Sequence, residues 1–238
     1  MKKIAIMQPY LLPYLGYYQL FHEADIFVIY NDIQFTKKGW INRNNLHGVN
    51  GRWNFTLPLN AGPSLELVSD KTIAPEYNSA KILARIQAEY KINKKFPTAA
   101  FGLVEEIFMN QETNLFQFIL TSLCQSVNYL EMDQRKILIS SEVGNFRKLK
   151  SQDKVIAICK ELKATHYLNP INGAHLYDPQ IFNRSGLGLT FIKTSVPSDS
   201  FRSESEAPFS IIHHLLTQEK NIILGDISHN YSLHRQLL

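Results

Sequence analysis

Two continuous apolar runs near the amino terminus, separated by a segment with helical spacing, constrain the fold more than any other feature of the sequence. The runs IAIM (residues 4–7) and DIFVIY (residues 25–30) are each typical of a strand that is buried on both faces. Between them, YLGYYQLFHEA places Leu15, Tyr18 and Phe21 at helical intervals. A strand, a helix and a strand within about thirty residues predict a parallel βαβ unit with a right-handed crossover.

Polar residues follow both of these apolar runs. Gln8-Pro9 ends the first run, and Asn31-Asp32 ends the second. Proline cannot continue a central strand, so the first strand must stop there. In open α/β sheets, ligands bind beyond the carboxyl ends of the strands. The pattern therefore predicts that Gln8 and Asp32 lie together at the mouth of a pocket.

A basic loop, defined here as residues 33–65, continues directly from Asp32. It contains four cations and no acidic residue, whereas the whole chain has a net charge of +4. The remainder of the chain therefore nets zero, which argues against general nucleic-acid or membrane-surface binding, because such binding spreads cations over a whole face. A local anion site fits the charge distribution better. A solvated basic loop without a ligand is the plainer interpretation, and charge alone does not decide between the two.

The side chains of the basic loop fit a ligand that carries phosphates, a ring and hydroxyl groups. Lys37, Lys38 and Arg43 can hold phosphate, and arginine gives a planar grip with two donors. Trp40 can stack on a base or sugar face, and Asn44 can exchange hydrogen bonds with hydroxyl or amide groups. A nucleotide-activated sugar matches this set, and ATP or a phosphopantetheine carrier matches it nearly as well.

The candidate catalytic residues are Asp32 and Gln8. Asp32 can act as a general base, with Gln8 orienting polar groups, or it can simply pair with the lysines that follow it. Tyr17, in the turn after the first strand, is a further candidate for substrate binding. Asn169 and Tyr177 surround another predicted strand end and are expected to face the same pocket.

The middle of the chain predicts a strand pair followed by helices. RWNFTLPL (52–59) and LELVSDKTI (65–73) have the pattern of paired strands with NAGPS as the turn. Three helices are then predicted at 76–92, 96–110 and 112–132. Their aromatic residues are expected in the core rather than at a ligand; these are Phe101, Phe108, Phe116 and Phe118.

Alternating strands and helices resume after residue 133. Strands are predicted at 136–143, 165–170 and 187–193, and helices at 151–164, with Ser151 as N-cap, and at 208–219. The polar stretch 194–208 predicts a surface loop, and the tail after residue 219 predicts a short apolar run with a frayed end. The whole pattern predicts an α/β protein with a parallel-sheet core and an inserted helical subdomain. The predicted division is 1–75, 76–133 and 134–238 within one compact unit.

No strong catalytic or cofactor motif is present, and no metal site is expected. The sequence lacks GxxxxGK[ST], GxGxxG, HExxH and GxSxG, and it assigns no cofactor. Cys124 and Cys159 lie in apolar helical stretches, which predicts core residues of a protein in a reducing cytosol. The apolar run at the amino terminus is too short for a signal peptide or a membrane span, so a cytoplasmic location is expected. The sequence leaves open whether the protein forms a homo-oligomer.

The opening block resembles a known family. QPYLLPYLGYYQLF followed by ADIFVIYNDIQFTKKGWINRN is similar to the signature of the WbqC-like family, which has a Gln-Pro, a Pro-x-x-Gly, an Asp at the second strand end and a Gly-Trp-x-x-Arg-Asn stretch. SSEV, KVIAICKEL, YLNPINGAHLY and SIIHHLL resemble later landmarks of the family in the right order, so the resemblance covers nearly the whole chain. His213 stands where the family has an Asp after Ser-Ile-Ile.

The resemblance implies a transferase of bacterial surface-polysaccharide biosynthesis, typically of the lipopolysaccharide O-antigen, acting as an acyl or aminoacyl transferase on an amino sugar. The first α/β unit is also similar to the nucleotidyltransferase-like group, in which a His-x-Gly-His turn grips ATP phosphates. Here Leu15-Gly16-Tyr17 keeps the glycine and neither histidine. An ATP-using nucleotidyl-transferring or amide-forming enzyme is therefore the first alternative, and a non-catalytic partner of polysaccharide enzymes is the second.

Overall fold

The computed structural model describes residues 1–90, 98–195 and 208–235. Within these ranges, a six-stranded sheet forms the centre of the fold, and a two-stranded hairpin stands apart from it. The strands are β1 (Lys3–Met7), β2 (Ile26–Ile29), β3 (Arg43–Gly48), β4 (Gly51–Thr56), β5 (Ile137–Ile139), β6 (His166–Pro170), β7 (Gly188–Thr194) and β8 (Tyr231–Arg235). 

The helices connect and cover these strands. They are α1 (Leu15–Glu23), α2 (Ser79–Tyr90), α3 (Thr98–Phe108), α4 (Leu115–Tyr129), α5 (Ser140–Val143), α6 (Ser151–Glu161), α7 (Pro179–Arg184), α8 (Ile211–Thr217) and α9 (Lys220–His229). Short 3-10 turns occur at Val68–Asp70, Gln134–Lys136 and Ile171–Leu176. No helix within the described ranges is long and apolar enough to cross a membrane.

The main sheet has the strand order β5-β2-β1-β6-β7-β8. Its first five strands are parallel, and β8 runs antiparallel to β7 at one edge. The prediction of an α/β fold with a parallel-sheet core is therefore confirmed. Counted along the chain, this is the 3-2-1-4-5-6 order of doubly wound sheets, in which the order reverses between the first strand and the fourth. In this protein the reversal falls between β1 and β6.

Strand alternation supplies apolar side chains to both faces of the sheet. Ala5 and Met7 point into one apolar cluster, which they share with α1, α8, α9 and the middle helices α2, α3 and α4. Ile4 and Ile6 point into a second cluster, which they share with α6 and α7. The four phenylalanines predicted to be core residues are all buried in the first cluster, and they are Phe101, Phe108, Phe116 and Phe118.

The predicted pairing of 52–59 with 65–73 survives only as an antiparallel bridge between Leu59 and Ile73, and it is wrong for residues 52–56. β4 pairs with β3 in an antiparallel hairpin, in the register Leu46↔Trp53 and Gly48↔Gly51, whereas residues 65–73 contain a 3-10 turn. Asn50-Gly51 is a hairpin signal that favours this pairing, and Gly51 has φ +92, a value that glycine adopts without strain. The hairpin lies inside the basic loop.

Three further boundaries differ from the prediction. The strand predicted at 136–143 ends at Ile139, because SSEV begins α5. Lys150 rather than Ser151 occupies the N-cap position of α6, and no side chain caps that helix end. The tail forms α9 and then β8, which pairs with β7, so the fraying predicted for its polar end is wrong up to residue 235. Residues 196–207 of the predicted surface loop lie outside the described ranges.

Candidate functional site

The two strands that carry the predicted catalytic residues end side by side. Met7 is paired with Ile29, and the Tyr30 amide donates to the Met7 carbonyl over 2.9 Å. Continued alternation places Gln8 and Tyr30 on the face that Ile6 and Val28 occupy, the face covered by α6. Gln8 is half-buried, and within the described ranges its side chain makes no hydrogen bond.

Asp32 forms a buried ion pair with a residue that sequence reasoning missed. Lys154 Nζ, from the first turns of α6, lies 2.8 Å from Asp32 Oδ2, and the side chains are 8% and 2% exposed. Ser140 donates to the other carboxylate oxygen over 2.5 Å. The lysines that follow Asp32 in sequence are not its partners. A lysine at a buried position on the apolar side of an amphipathic helix was the available signal, because such a lysine needs an acceptor in the core.

This pairing decides the protonation state of Asp32. Burial by itself raises the pKa of the carboxyl group, but the hydrogen bonds from Lys154 and Ser140, with the charge of Lys154, outweigh burial and leave the pKa below its usual value. Asp32 is therefore a carboxylate at neutral pH and a weak proton acceptor. Its geometry is that of a group that holds Lys154 in place.

A second group of polar side chains lies at the end of β6. Asn169 is buried, and its amide donates to the hydroxyl groups of Tyr167 and Tyr177 over 2.7 and 3.3 Å. Gly173 packs against the Asn169 amide oxygen so closely that a side-chain methyl at position 173 would overlap it. The strand end and the following 3-10 turn therefore form one interlocked unit.

These residues converge where the strand order reverses. Ile4 is paired with both Ile26 and Tyr167, so continued alternation brings Gln8, Tyr30 and Asn169 to one face at the carboxyl edge of the sheet. Lys154 Nζ lies 4.9 Å from the centre of the Tyr30 ring. Burial, with the nearby Tyr177 and Asp32, raises the pKa of Tyr30, so its hydroxyl stays neutral. We call this set the switch-point cluster, and its members are Gln8, Tyr30, Asp32, Lys154, Asn169 and Tyr177.

Several residues predicted to bind substrate instead hold the backbone. Arg43 donates to the carbonyls of Lys38 and Gly39, over 2.7 and 3.0 Å, and its guanidinium lies 5.7 Å from the centre of the half-buried Trp40 ring. Asn44 is only 4% exposed, and its amide donates to the carbonyls of Leu11 and Leu12. A ligand cannot reach the Asn44 amide without displacing these contacts, whereas the half-buried Arg43 guanidinium keeps N–H groups that no described residue accepts.

Tyr17 is also structural in this arrangement. It has no exposed surface, and its hydroxyl donates to the Gln8 carbonyl over 3.1 Å. Burial, followed by the neighbouring Tyr10, Tyr18 and Tyr14, raises the pKa of Tyr17 well above its usual value. Direct substrate contact by Tyr17 is therefore excluded here, and its contribution is to fix the backbone that carries Gln8.

Lys37 and Lys38 remain exposed, and within the described ranges neither forms an ion pair with an acidic residue. Lys37 lines a cavity between the start of the basic loop and residues 59–71. The described residues contain no group of three or more His, Cys, Asp or Glu side chains that could hold a metal ion. Lys37 and Lys38 therefore carry free cationic charge at the start of the basic loop.

His213, where the resemblance implies an Asp, lies in an aromatic cluster between α8 and the hairpin. Its Nδ1 is 3.0 Å from the Tyr90 hydroxyl, and its ring centre is 5.0 Å from that of Phe209 and 6.2 Å from that of His47. Burial, followed by repulsion from His214 and His47, lowers the pKa of His213 to about 3. A neutral ring suits these surroundings.

This lowered pKa predicts a loss of stability on the acid side. The unfolded chain protonates His213 near pH 6.5, whereas the folded chain leaves it neutral until about pH 3, so the unfolded state binds more protons in between and stability falls as pH drops. His213→Gln is expected to flatten the fall in Tm between pH 7 and pH 4.5, measured by circular dichroism. His175→Gln, at an exposed position, should keep the wild-type slope. An unchanged slope in His213→Gln contradicts the assignment.

The fold and the cluster define a doubly wound α/β protein with polar groups gathered at its switch point. The chain belongs to the WbqC-like protein family, whose model matches residues 8–223. It is similar to a protein named "Uncharacterized protein Rv1507c" from Mycobacterium tuberculosis (strain ATCC 25618 / H37Rv), with 27% identity over 195 residues that cover 80% of this chain and 82% of that protein. No solved structure matches the chain at a significant level.

Proposed function

We propose that this WbqC-like protein is a transferase of bacterial surface-polysaccharide biosynthesis, of the O-antigen type. In this proposal it transfers an acyl or aminoacyl group to an amino sugar that is carried on a nucleotide. The observation that carries the proposal is the switch-point cluster, because ligands of doubly wound sheets bind where the strand order reverses. The pathway in this proposal comes from what the resemblance to the WbqC-like family implies, and the chain is a member of that family.

Each part of the ligand has a matching group in this proposal. The exposed Lys37 and Lys38 neutralise the phosphates, since within the described ranges no acidic side chain pairs with them. Gln8 offers an amide that is free of hydrogen bonds in the described structure, and the neutral Tyr30 and Tyr177 offer hydroxyl donors. Lys154, fixed by Asp32, supplies positive charge beside the carbonyl group under attack.

Asp32 has a different role from the general base that the sequence predicts. Its lowered pKa makes it a poor acceptor for the proton of an attacking amine. The neutral amine forms a bond to the carbonyl carbon, the bond from that carbon to the leaving group breaks, and the amine proton leaves to solvent or with the leaving group. Asp32 contributes by orienting Lys154, which makes it a positioning residue.

Calorimetric titration with a panel of nucleoside-diphosphate amino sugars tests the proposal. The wild-type protein is expected to bind at least one of them, and Gln8→Ala is expected to weaken that binding about tenfold, the cost of a lost polar contact. Gln180→Ala, at an exposed position on α7, is the matched control and should bind as the wild type does. A folded wild-type protein that binds no member of the panel contradicts the proposal.

The strand order favours one second candidate, an ATP-using nucleotidyl-transferring or amide-forming enzyme. A doubly wound sheet binds nucleotides at its switch point, whether the nucleotide carries a sugar or a triphosphate. Release of pyrophosphate on adding ATP and an amino acid supports this candidate. Acyl transfer to a nucleotide amino sugar without ATP supports the first proposal.

A further inference from the structure

A cavity of about 520 Å³ lies between the start of the basic loop and residues 59–71. Hydrogen bonds on both sides hold its walls. The Gln34 side chain donates to the Ser64 carbonyl, and the Phe35 amide donates to the Glu66 carbonyl. On the other side, the Asn60 amide donates to Thr72 Oγ1 over 2.8 Å. The cavity is therefore formed in advance of any ligand, as small-molecule sites usually are.

The floor of the cavity carries a buried ammonium group with unused donors. The Lys71 side chain is 8% exposed and pairs with Glu66, whose side chain is 18% exposed. Lys71 Nζ also lies 5.6 Å from the centre of the Phe35 ring. The contact with Glu66 Oε2 uses one of the three ammonium hydrogens, and within the described residues the ammonium group makes no further hydrogen bond. Unused buried donors of this kind favour a ligand that accepts hydrogen bonds.

The other lining groups have the same mixed character. The Asn42 amide donates to the Leu57 carbonyl, which leaves its oxygen as an acceptor. Asn60 likewise uses its amide hydrogens on Thr72 and Ile73 and keeps its oxygen. Phe35, Leu59 and Pro63 supply apolar surface beside these polar atoms.

We infer that this cavity is a binding subsite for a pyranose sugar ring. A pyranose presents hydroxyl groups that donate and accept around its edge and apolar C–H groups on its faces, so it satisfies the buried pair, the amide oxygens and the phenylalanine together. A free phosphate fits less well, because Glu66 offsets the charge of Lys71. Lys37 is a lining cation without an acidic partner in the described structure, which suits the phosphate attached to a nucleotide-linked sugar.

This inference rests on the proposed function, and it places the amino sugar of the proposed substrate in this cavity. Phe35 follows Asp32 by three residues, which span at most about 11 Å of extended backbone. A nucleotide sugar can therefore place its sugar in the cavity while its phosphates lie near Lys37 and Lys38.

Saturation-transfer NMR with free N-acetylglucosamine and methyl α-glucoside tests the subsite without a nucleotide. Gly62→Ala places a methyl group against the Glu66 carboxylate and 3.0 Å from Lys71 Nζ, on an exposed loop where folding should be preserved. Lys71→Met removes the buried donors. Each variant is expected to weaken sugar binding about tenfold or more, since a polar group loses its partner. Gly102→Ala, where a methyl group meets open space, is the matched control and should bind as the wild type does.

The outcomes separate this inference from the proposed function. Nucleotide amino sugars that bind in a Gln8-dependent way, with no binding of free pyranoses, overturn the subsite and leave the proposed function standing. Pyranose binding that Gly62→Ala weakens, without any nucleotide-sugar binding, supports the subsite and contradicts the proposed function. Pyranose binding that neither variant changes, or that inorganic phosphate competes away, overturns the subsite.

Discussion

Replacing Lys154 by methionine is expected to lower the free energy of unfolding by about 3 kcal/mol, because it leaves a buried carboxylate without its counter-ion. Methionine keeps most of the side-chain volume, so the loss reports on the charge and its hydrogen bonds rather than on a cavity. Urea denaturation at neutral pH, followed by circular dichroism, measures the change. Lys160→Met, at an exposed position on the same helix, is the matched control and should change stability by less than about 0.5 kcal/mol.

The same pair predicts a pH dependence with a defined sign. Because the folded-state pKa of Asp32 is lowered, its contribution is present above the unfolded pKa of about 3.9 and is lost as pH falls through the folded value. Asp32→Asn should therefore have a lower free energy of unfolding than the wild type at pH 7, and this difference should shrink below pH 4. A Lys154→Met variant as stable as Lys160→Met, or an Asp32→Asn deficit that does not shrink in acid, shows that the pair does not hold the site.

Replacing Asn44 by alanine is expected to lower the free energy of unfolding by about 2–3 kcal/mol, through the loss of hydrogen bonds from a buried amide. Asn44 lies on β3, and its amide ties the hairpin to the carbonyls of Leu11 and Leu12. Those carbonyls follow Gln8 in the segment beyond β1, so the variant should also weaken ligand binding at the switch-point cluster. Urea denaturation and the nucleotide-sugar titration measure the two effects.

Asn54→Ala is the matched control for this variant. Asn54 lies on the partner strand β4, next to the residue paired with Asn44, and its side chain is exposed. It should keep both wild-type stability and wild-type binding. If Asn44→Ala unfolds at the same urea concentration as Asn54→Ala, the hairpin does not depend on this amide, and the structural role given to Asn44 is wrong.

Local periodicity was enough to predict the centre of the fold. The runs 4–7 and 25–30 and the helix between them gave the βαβ unit, because continuous apolar strands with a short crossover permit few other arrangements. The same reasoning located the carboxyl ends of these two strands, because polar residues follow each apolar run. Local periodicity could not predict the strand order, because that order depends on the pairing of β6 with β1.

The functional roles of individual side chains were harder to predict because burial decides them. The partner of Asp32 is Lys154, 122 positions later in sequence, and no local spacing indicates that contact. Arg43 and Asn44 have the residue types of a phosphate and hydroxyl site, yet both donate hydrogen bonds to backbone carbonyls. The Asn50-Gly51 turn signal, read first, would have placed both residues on a hairpin strand and weakened the case for ligand contact.

The location of the ligand at the switch point is the central claim, and hydrogen–deuterium exchange with a bound nucleotide amino sugar tests it most directly. Added ligand should slow exchange in the segments that follow β1, β2 and β6, which are residues 8–14, 30–35 and 169–177, and leave β8 unchanged. Slower exchange confined to β8 and α9, with those three segments exchanging as in the free protein, would contradict the claim.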